Sequence, residues 1–147
     1  MTAEPREVAR RIGTDLATVG LRDGFGVYSL AGQDWVHAPE RGSTTVPEGF
    51  EGDGYVAVLL GAQHLVDVSG GSPLPAWVEV LSFVQDCATD ELGFGWPEAY
   101  EDGRFLAVLQ PAVHAGDLVW LSRGTPLAPV GRLSALRSGT IKNAPAS

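Results

Sequence analysis

The sequence predicts an α+β domain in which two helices pack on antiparallel β-hairpins, with an internal duplication of pseudo-twofold symmetry. Three observations predict this class. The segment PEGFEGDGYVAVL at 47–59 is matched without a gap by PEAYEDGRFLAVL at 97–109, with six identities. LVDVSGGSPL at 65–74 is matched by LVWLSRGTPL at 118–127, also with six identities. A helical pattern precedes each copy, and self-similarity at a fixed spacing indicates a unit that is used twice.

The first half is predicted to begin with a helix. Its boundaries are Pro5, which suits a first helical turn, and Gly20, which suits a helix end. Apolar residues recur between them at helical spacing, as they do on the core-facing side of a helix: Val8, Ile12, Leu16 and Val19. A strand is expected near 25–30, followed by a polar loop at 32–45.

The first hairpin is predicted from strands at 55–60 and 65–69, which are rich in aliphatic and aromatic residues. A tight bend joins them. An acidic, aromatic loop at 47–54 is expected to lead into the first strand.

The second half repeats this order, beginning with a helix at 75–93. Trp77, Val80, Leu81, Val84 and Ala88 form its apolar face, and Gly93 suits its end. A second acidic, aromatic loop is expected before a second hairpin with strands at 105–110 and 118–122. The longer connection at 111–117 predicts a projecting tip.

The length of 147 residues is typical of one domain. We expect a single α+β domain at 1–133, made of half-repeats at about 3–74 and 75–133. Residues 134–147 are poor in large apolar side chains, which predicts a flexible C-terminal tail. A duplicated unit of this kind is typical of an ancestral homodimer that was later fused, and a homo-oligomer is a possible state of the present chain.

Charge and composition narrow the function. The chain has 18 acidic and 10 basic residues and a net charge of -8, which disfavours nucleic acid and anionic membranes as partners. The N-terminal segment lacks the apolar core of a secretory signal, so we expect a cytoplasmic protein. A preference for Arg over Lys, with much Ala and Gly, suggests a bacterial genome rich in GC.

The acidic loops of the two copies are the strongest site candidates. Glu48 and Glu51 in the first copy correspond to Glu98 and Glu101 in the second. Phe50 and Tyr100 are the matching aromatic residues, and aromatic groups beside charge are common in protein interfaces. Trp120 aligns with Asp67 and is predicted to anchor a partner if it is exposed.

Three interpretations of these residues remain open. The first is a protein-binding surface without catalytic activity, of the adaptor, chaperone-like or immunity type, with another protein of basic character as its partner. The second is an enzyme or small-molecule site that uses a carboxylate cluster between the two copies. The third is a pair of solvated turns that aid solubility.

From the other candidate residues and motifs we expect no catalytic centre, no metal site and no cofactor. His64 with Asp67, and His114 with Asp117, have a spacing that places the two side chains on opposite faces of a strand. Cys87 lies within the predicted second helix, where a buried, inert thiol is expected. The glycine-rich segments lack the strand-to-helix order that phosphate binding requires.

Overall fold

The computed structural model describes residues 4–40, 46–67, 73–135 and 141–142. Its helices are α1 (Pro5–Ala17) and α2 (Leu74–Leu92). The strands are β1 (Gly26–Ser29), β2 (Asp34–His37), β3 (Tyr55–Leu59), β4 (Ala62–Val66), β5 (Glu98–Glu101), β6 (Arg104–Val108), β7 (Gln110–His114), β8 (Asp117–Ser122), β9 (Thr125–Pro129) and β10 (Ile141–Lys142). Helices and antiparallel sheets occur together, so the predicted α+β class is confirmed.

Both predicted helices are present, and local chemistry explains their ends. The Glu4 carboxylate accepts hydrogen bonds from the backbone N–H groups of Arg6 and Glu7, and this caps the start of α1. Helix α2 ends at Gly93, whose φ of 78° lies in the left-handed region that favours glycine. Each helix buries the apolar stripe that the sequence predicts, except that Val19 is buried just beyond the end of α1.

The strands form three antiparallel sheets among the described residues. The first half supplies one sheet in the order β2-β1-β3-β4. The second half divides between a sheet in the order β10-β5-β6 and another in the order β7-β8-β9. The two halves therefore differ in how their strands are grouped.

Two-residue turns join four of the strand pairs, and both residues of each turn have a positive φ, as in type I′ turns. The turns are Leu60–Gly61, Asp102–Gly103, Ala115–Gly116 and Arg123–Gly124. Their backbone twist matches the twist of the flanking strands, so these short connections set the register of each hairpin.

The second predicted hairpin is wrong in its pairing. Strand β6 does pair within a hairpin, but its partner is β5. Residues 111–114, predicted as part of a projecting tip at 111–117, belong to β7, which pairs with β8. Pro111 is tolerated there because β7 lies at the edge of its sheet, where a missing N–H donor breaks no ladder.

Three further predictions differ from the structure. The predicted polar loop at 32–45 contains β2, which pairs with β1. The acidic segment of the second copy, predicted as a loop, is strand β5. Within the predicted tail at 134–147, residues Ile141–Lys142 form β10 and pair with β5, while residues 136–140 and 143–147 lie outside the described part of the chain.

One continuous apolar core joins the two halves of the chain. Its members come from α1, β1, β3, α2 and the strands of the second half, among them Ile12, Phe25, Leu81 and Trp120. Helix α2 packs on β3 and β4 of the first half as well as on β7 and β8 of the second. Helix α1 packs on β2, and its polar side chains reach the end of β9.

Candidate functional site

The β5–β6 hairpin carries the most exposed large apolar side chain among the described residues. Phe105 keeps 55% of its surface accessible to solvent. It lies directly opposite Tyr100 in the register of the hairpin. The two rings are 6.0 Å apart between centroids and meet edge to face at 81°. This arrangement holds the Phe105 ring in a defined position although most of it is in water.

Acidic and basic groups surround this aromatic pair. A shallow groove of about 440 Å³ is lined by Glu101, Asp102, Arg104, Phe105 and Leu106. Glu101 and Asp102 are both exposed at the tip of the hairpin. The surface therefore combines an exposed ring with two exposed carboxylates on adjacent residues.

Strand β6 is also tied to the third sheet. The guanidinium of Arg123, in the turn between β8 and β9, donates a hydrogen bond of 2.9 Å from Nη2 to the carbonyl oxygen of Leu106. This bond uses a backbone acceptor of β6. It positions the hairpin relative to the β8–β9 turn and covers part of the open edge of β6.

The predicted acidic cluster does not share one environment. Glu48 and Glu51 are exposed on the segment before β3, and Glu101 is exposed at the end of β5. Glu98 instead lies in β5 with only 8% of its surface exposed, and the Tyr100 hydroxyl donates to its carboxylate over 3.5 Å. Phe50 is half-buried. This difference in burial gives no support to the catalytic interpretation of the four carboxylates.

Trp120 is not an exposed anchor, and that prediction is wrong. Its side chain is fully buried, and the indole packs edge to face on Trp96 with centroids 5.7 Å apart. The indole Nε1–H donates a 2.8 Å hydrogen bond to Oδ2 of Asp15. At the position where the first copy has the exposed Asp67, the second copy therefore has a tryptophan of the apolar core.

Asp15 is a buried carboxylate that was not among the site residues predicted from the sequence. Its carboxylate accepts hydrogen bonds from Trp120 and from the backbone N–H groups of Gly131, at 2.7 Å, and Leu133, at 3.1 Å. Burial raises the pKa of Asp15 above its usual range, and these three hydrogen bonds oppose that rise. The position could have been recognised because Asp15 follows Ile12 by three residues, which places it on the apolar face of α1.

Three candidate residues from the sequence remain: His64, Cys87 and Asp117. His64 stacks on Phe83 with centroids 5.4 Å apart, and its Nε2 lies 3.2 Å from a carboxylate oxygen of Glu79. Burial, followed by the nearby acids Asp86 and Asp90, raises the pKa of the Cys87 thiol. Asp117 accepts hydrogen bonds from Arg11. Within the described ranges, no group of three or more His, Cys, Asp or Glu residues is placed to hold a metal ion.

Comparison with known proteins gives no family for the chain: no family model, no curated protein and no solved structure matches it. In the part of the chain that the structure describes, neither helix has the length and apolar character needed to cross a membrane. The function must therefore be inferred from the surfaces themselves.

Proposed function

We propose that this chain is a protein-binding domain without catalytic activity and that the β5–β6 hairpin is its contact surface. The observation that carries the proposal is the exposure of Phe105, whose ring is held by Tyr100 and bordered by acidic side chains. Rigid aromatic side chains are typical anchors of protein interfaces because they bury much area with little loss of conformational entropy.

Charge selects the class of partner. The chain has a net charge of -8, and Glu101 and Asp102 place two carboxylates at the tip of the proposed contact surface. A field of this sign accelerates encounter with a basic partner and disfavours an acidic one. The expected partner is a basic protein segment with an apolar side chain that covers Phe105.

Peptide binding tests this proposal directly. Two sets of short peptides share the same apolar positions and carry either Lys or Glu between them. Fluorescence anisotropy at low salt should show binding of the Lys peptides only. Phe105→Ser should weaken that binding by about tenfold, equivalent to about 1.4 kcal/mol.

Val113 provides the matched control, because it is 43% exposed but lies on the β7–β8 hairpin. Val113→Ser should leave the affinity unchanged. Equal binding of the Lys and Glu peptides, or equal weakening by the two serine variants, would overturn the proposed surface.

We also infer that the chain arose by duplication of a unit with one helix and two hairpins. The order of elements supports this: β1–β2 and β3–β4 follow α1, and β5–β6 and β7–β8 follow α2. Gly-Phe-Gly also occurs at the start of β1, at 24–26, and shortly before β5, at 93–95. By the order of elements, β3 corresponds to β7. By the sequence match of 47–59 with 97–109, β3 corresponds to β6 instead.

A further inference from the structure

A second surface lies away from the β5–β6 hairpin, between α1 and the segment that follows β9. It is a groove of about 730 Å³, within the size range of small-molecule sites. Its lining contains three arginines in a chain whose net charge is -8: Arg10, Arg11 and Arg132. The hydroxyl-bearing residues Thr14 and Ser134 also line it.

The wall of this groove is held in place by α1. The Asp15 carboxylate binds the backbone N–H groups of Gly131 and Leu133, which lie on either side of Arg132. Both N–H groups point towards the core, while Arg132 is exposed. The backbone that carries Arg132 is therefore fixed before any ligand arrives.

Gly131 allows the helix to approach this segment closely. Its φ is 99°, and a Cβ atom at this position would lie 3.0 Å from Cβ of Arg11. Arg11 donates from Nε to the carbonyl oxygen of Val130 over 2.7 Å and from its terminal nitrogens to Asp117 over 3.3 Å. Its side chain is only 14% exposed, so its guanidinium is a rigid, partly desolvated part of the floor.

The lining of the groove contains one more arginine than acidic residues. Arg10 is paired with Glu7, and Arg11 is paired with Asp117. Arg132 forms no ion pair within the described ranges of the chain. Two acids thus face three guanidinium groups, and the local charge is opposite in sign to that of the molecule as a whole.

We propose that this groove binds a small phosphate-bearing molecule. A guanidinium group matches a phosphate with two parallel N–H donors, and Arg132 is placed to supply them. Arg10 also lines the groove, and its exposed ion pair with Glu7 can be exchanged for one with the ligand. The polar lining suits a hydrophilic molecule rather than an apolar one.

Titration calorimetry with pyrophosphate tests this site in the full-length protein. Chloride at matched ionic strength controls for general screening, and tricarballylate tests whether carboxylates serve equally well. We expect saturable binding of pyrophosphate, weaker binding of tricarballylate, and a loss of affinity of at least about tenfold in Arg132→Gln. Arg104→Gln, an exposed arginine on the β5–β6 hairpin, should bind pyrophosphate as the unchanged protein does.

Three results would overturn the proposal. The first is an absence of saturable heat with pyrophosphate. The second is an equal loss of affinity in Arg132→Gln and Arg104→Gln, which would indicate a response to net charge alone. The third is tricarballylate binding as tight as that of pyrophosphate, which would show that the groove does not select phosphate. Unfolding curves of both variants, which change exposed side chains only, establish that each remains folded.

Discussion

Burial of His37 has a consequence for the pH dependence of stability. Its ring lies 5.6 Å from that of Phe25 between centroids, at the end of β2. Burial, and then the positive charge of Arg22, lowers the pKa of His37, while Glu40 opposes the change. The folded state therefore holds this histidine neutral at a pH where the unfolded chain already takes up a proton.

The sign of the pH dependence follows from that difference. Because the pKa is lower in the folded state, the unfolded state binds more protons, and the free energy of unfolding should decrease as the pH falls below about 6.5, the ordinary histidine value. Urea unfolding at pH 7.5 and 5.5 should show this decrease in the unchanged protein. In His37→Gln the decrease should be smaller, and an identical decrease in both proteins would contradict the assignment.

The elements of the fold differ in how well their sequences predict them. Both helices are predictable because α1 and α2 carry apolar stripes with clear boundary residues, including Gly93. The strand pairing of the second half is less readable. Its decisive signals are two-residue turns, and the Asp102–Gly103 dipeptide is a strong hairpin signal. Similarity to the first hairpin led instead to the prediction that β6 pairs with β8.

The turn between β5 and β6 supplies a prediction at this scale. Gly103 has a φ of 77°, a conformation that costs an L-residue about 1 kcal/mol. Gly103→Ala should therefore lower the free energy of unfolding by about that amount. Chemical denaturation measures the change.

Gly13 is the matched control because it lies within α1, with its nearest neighbouring atom 3.6 Å from the Cβ position. Gly13→Ala should stabilise the protein by about 0.5–1 kcal/mol, since alanine loses less backbone entropy than glycine in a helix. A free energy of unfolding that is unchanged or higher in Gly103→Ala would show that the turn does not require a glycine at this left-handed position.

The candidate sites are less predictable than the helices, for physical reasons. Glu101 could be identified as an exposed acid, but the importance of its neighbour Phe105 depends on solvent exposure, which a strand pattern alone does not give. Trp120 was misplaced because a large aromatic residue is equally compatible with a core and with an interface. The groove lined by Arg10, Arg11 and Arg132 is formed by residues more than a hundred positions apart in the sequence. Only tertiary contacts bring α1 to Gly131.

At the scale of the whole molecule, Asp15 couples the two halves. It lies on α1 in the first half, and all three of its N–H donors belong to the second: those of Trp120, Gly131 and Leu133. Asp15→Ala would leave these donors without a partner in a region closed to water, and each such loss costs about 1–3 kcal/mol. We expect a decrease of at least about 3 kcal/mol in the free energy of unfolding.

The shape of the unfolding transition tests whether the halves act as one unit. Because a single core and the Asp15 bonds cross between them, far-UV circular dichroism and tryptophan fluorescence should report one coincident transition. Asp15→Ala should move both signals together to lower urea concentration. Asp86→Ala, which removes an exposed acid of α2, should leave the midpoint nearly unchanged. Two separate transitions in Asp15→Ala would mean that each half keeps its structure alone, as an ancestral unit with its own complete core would.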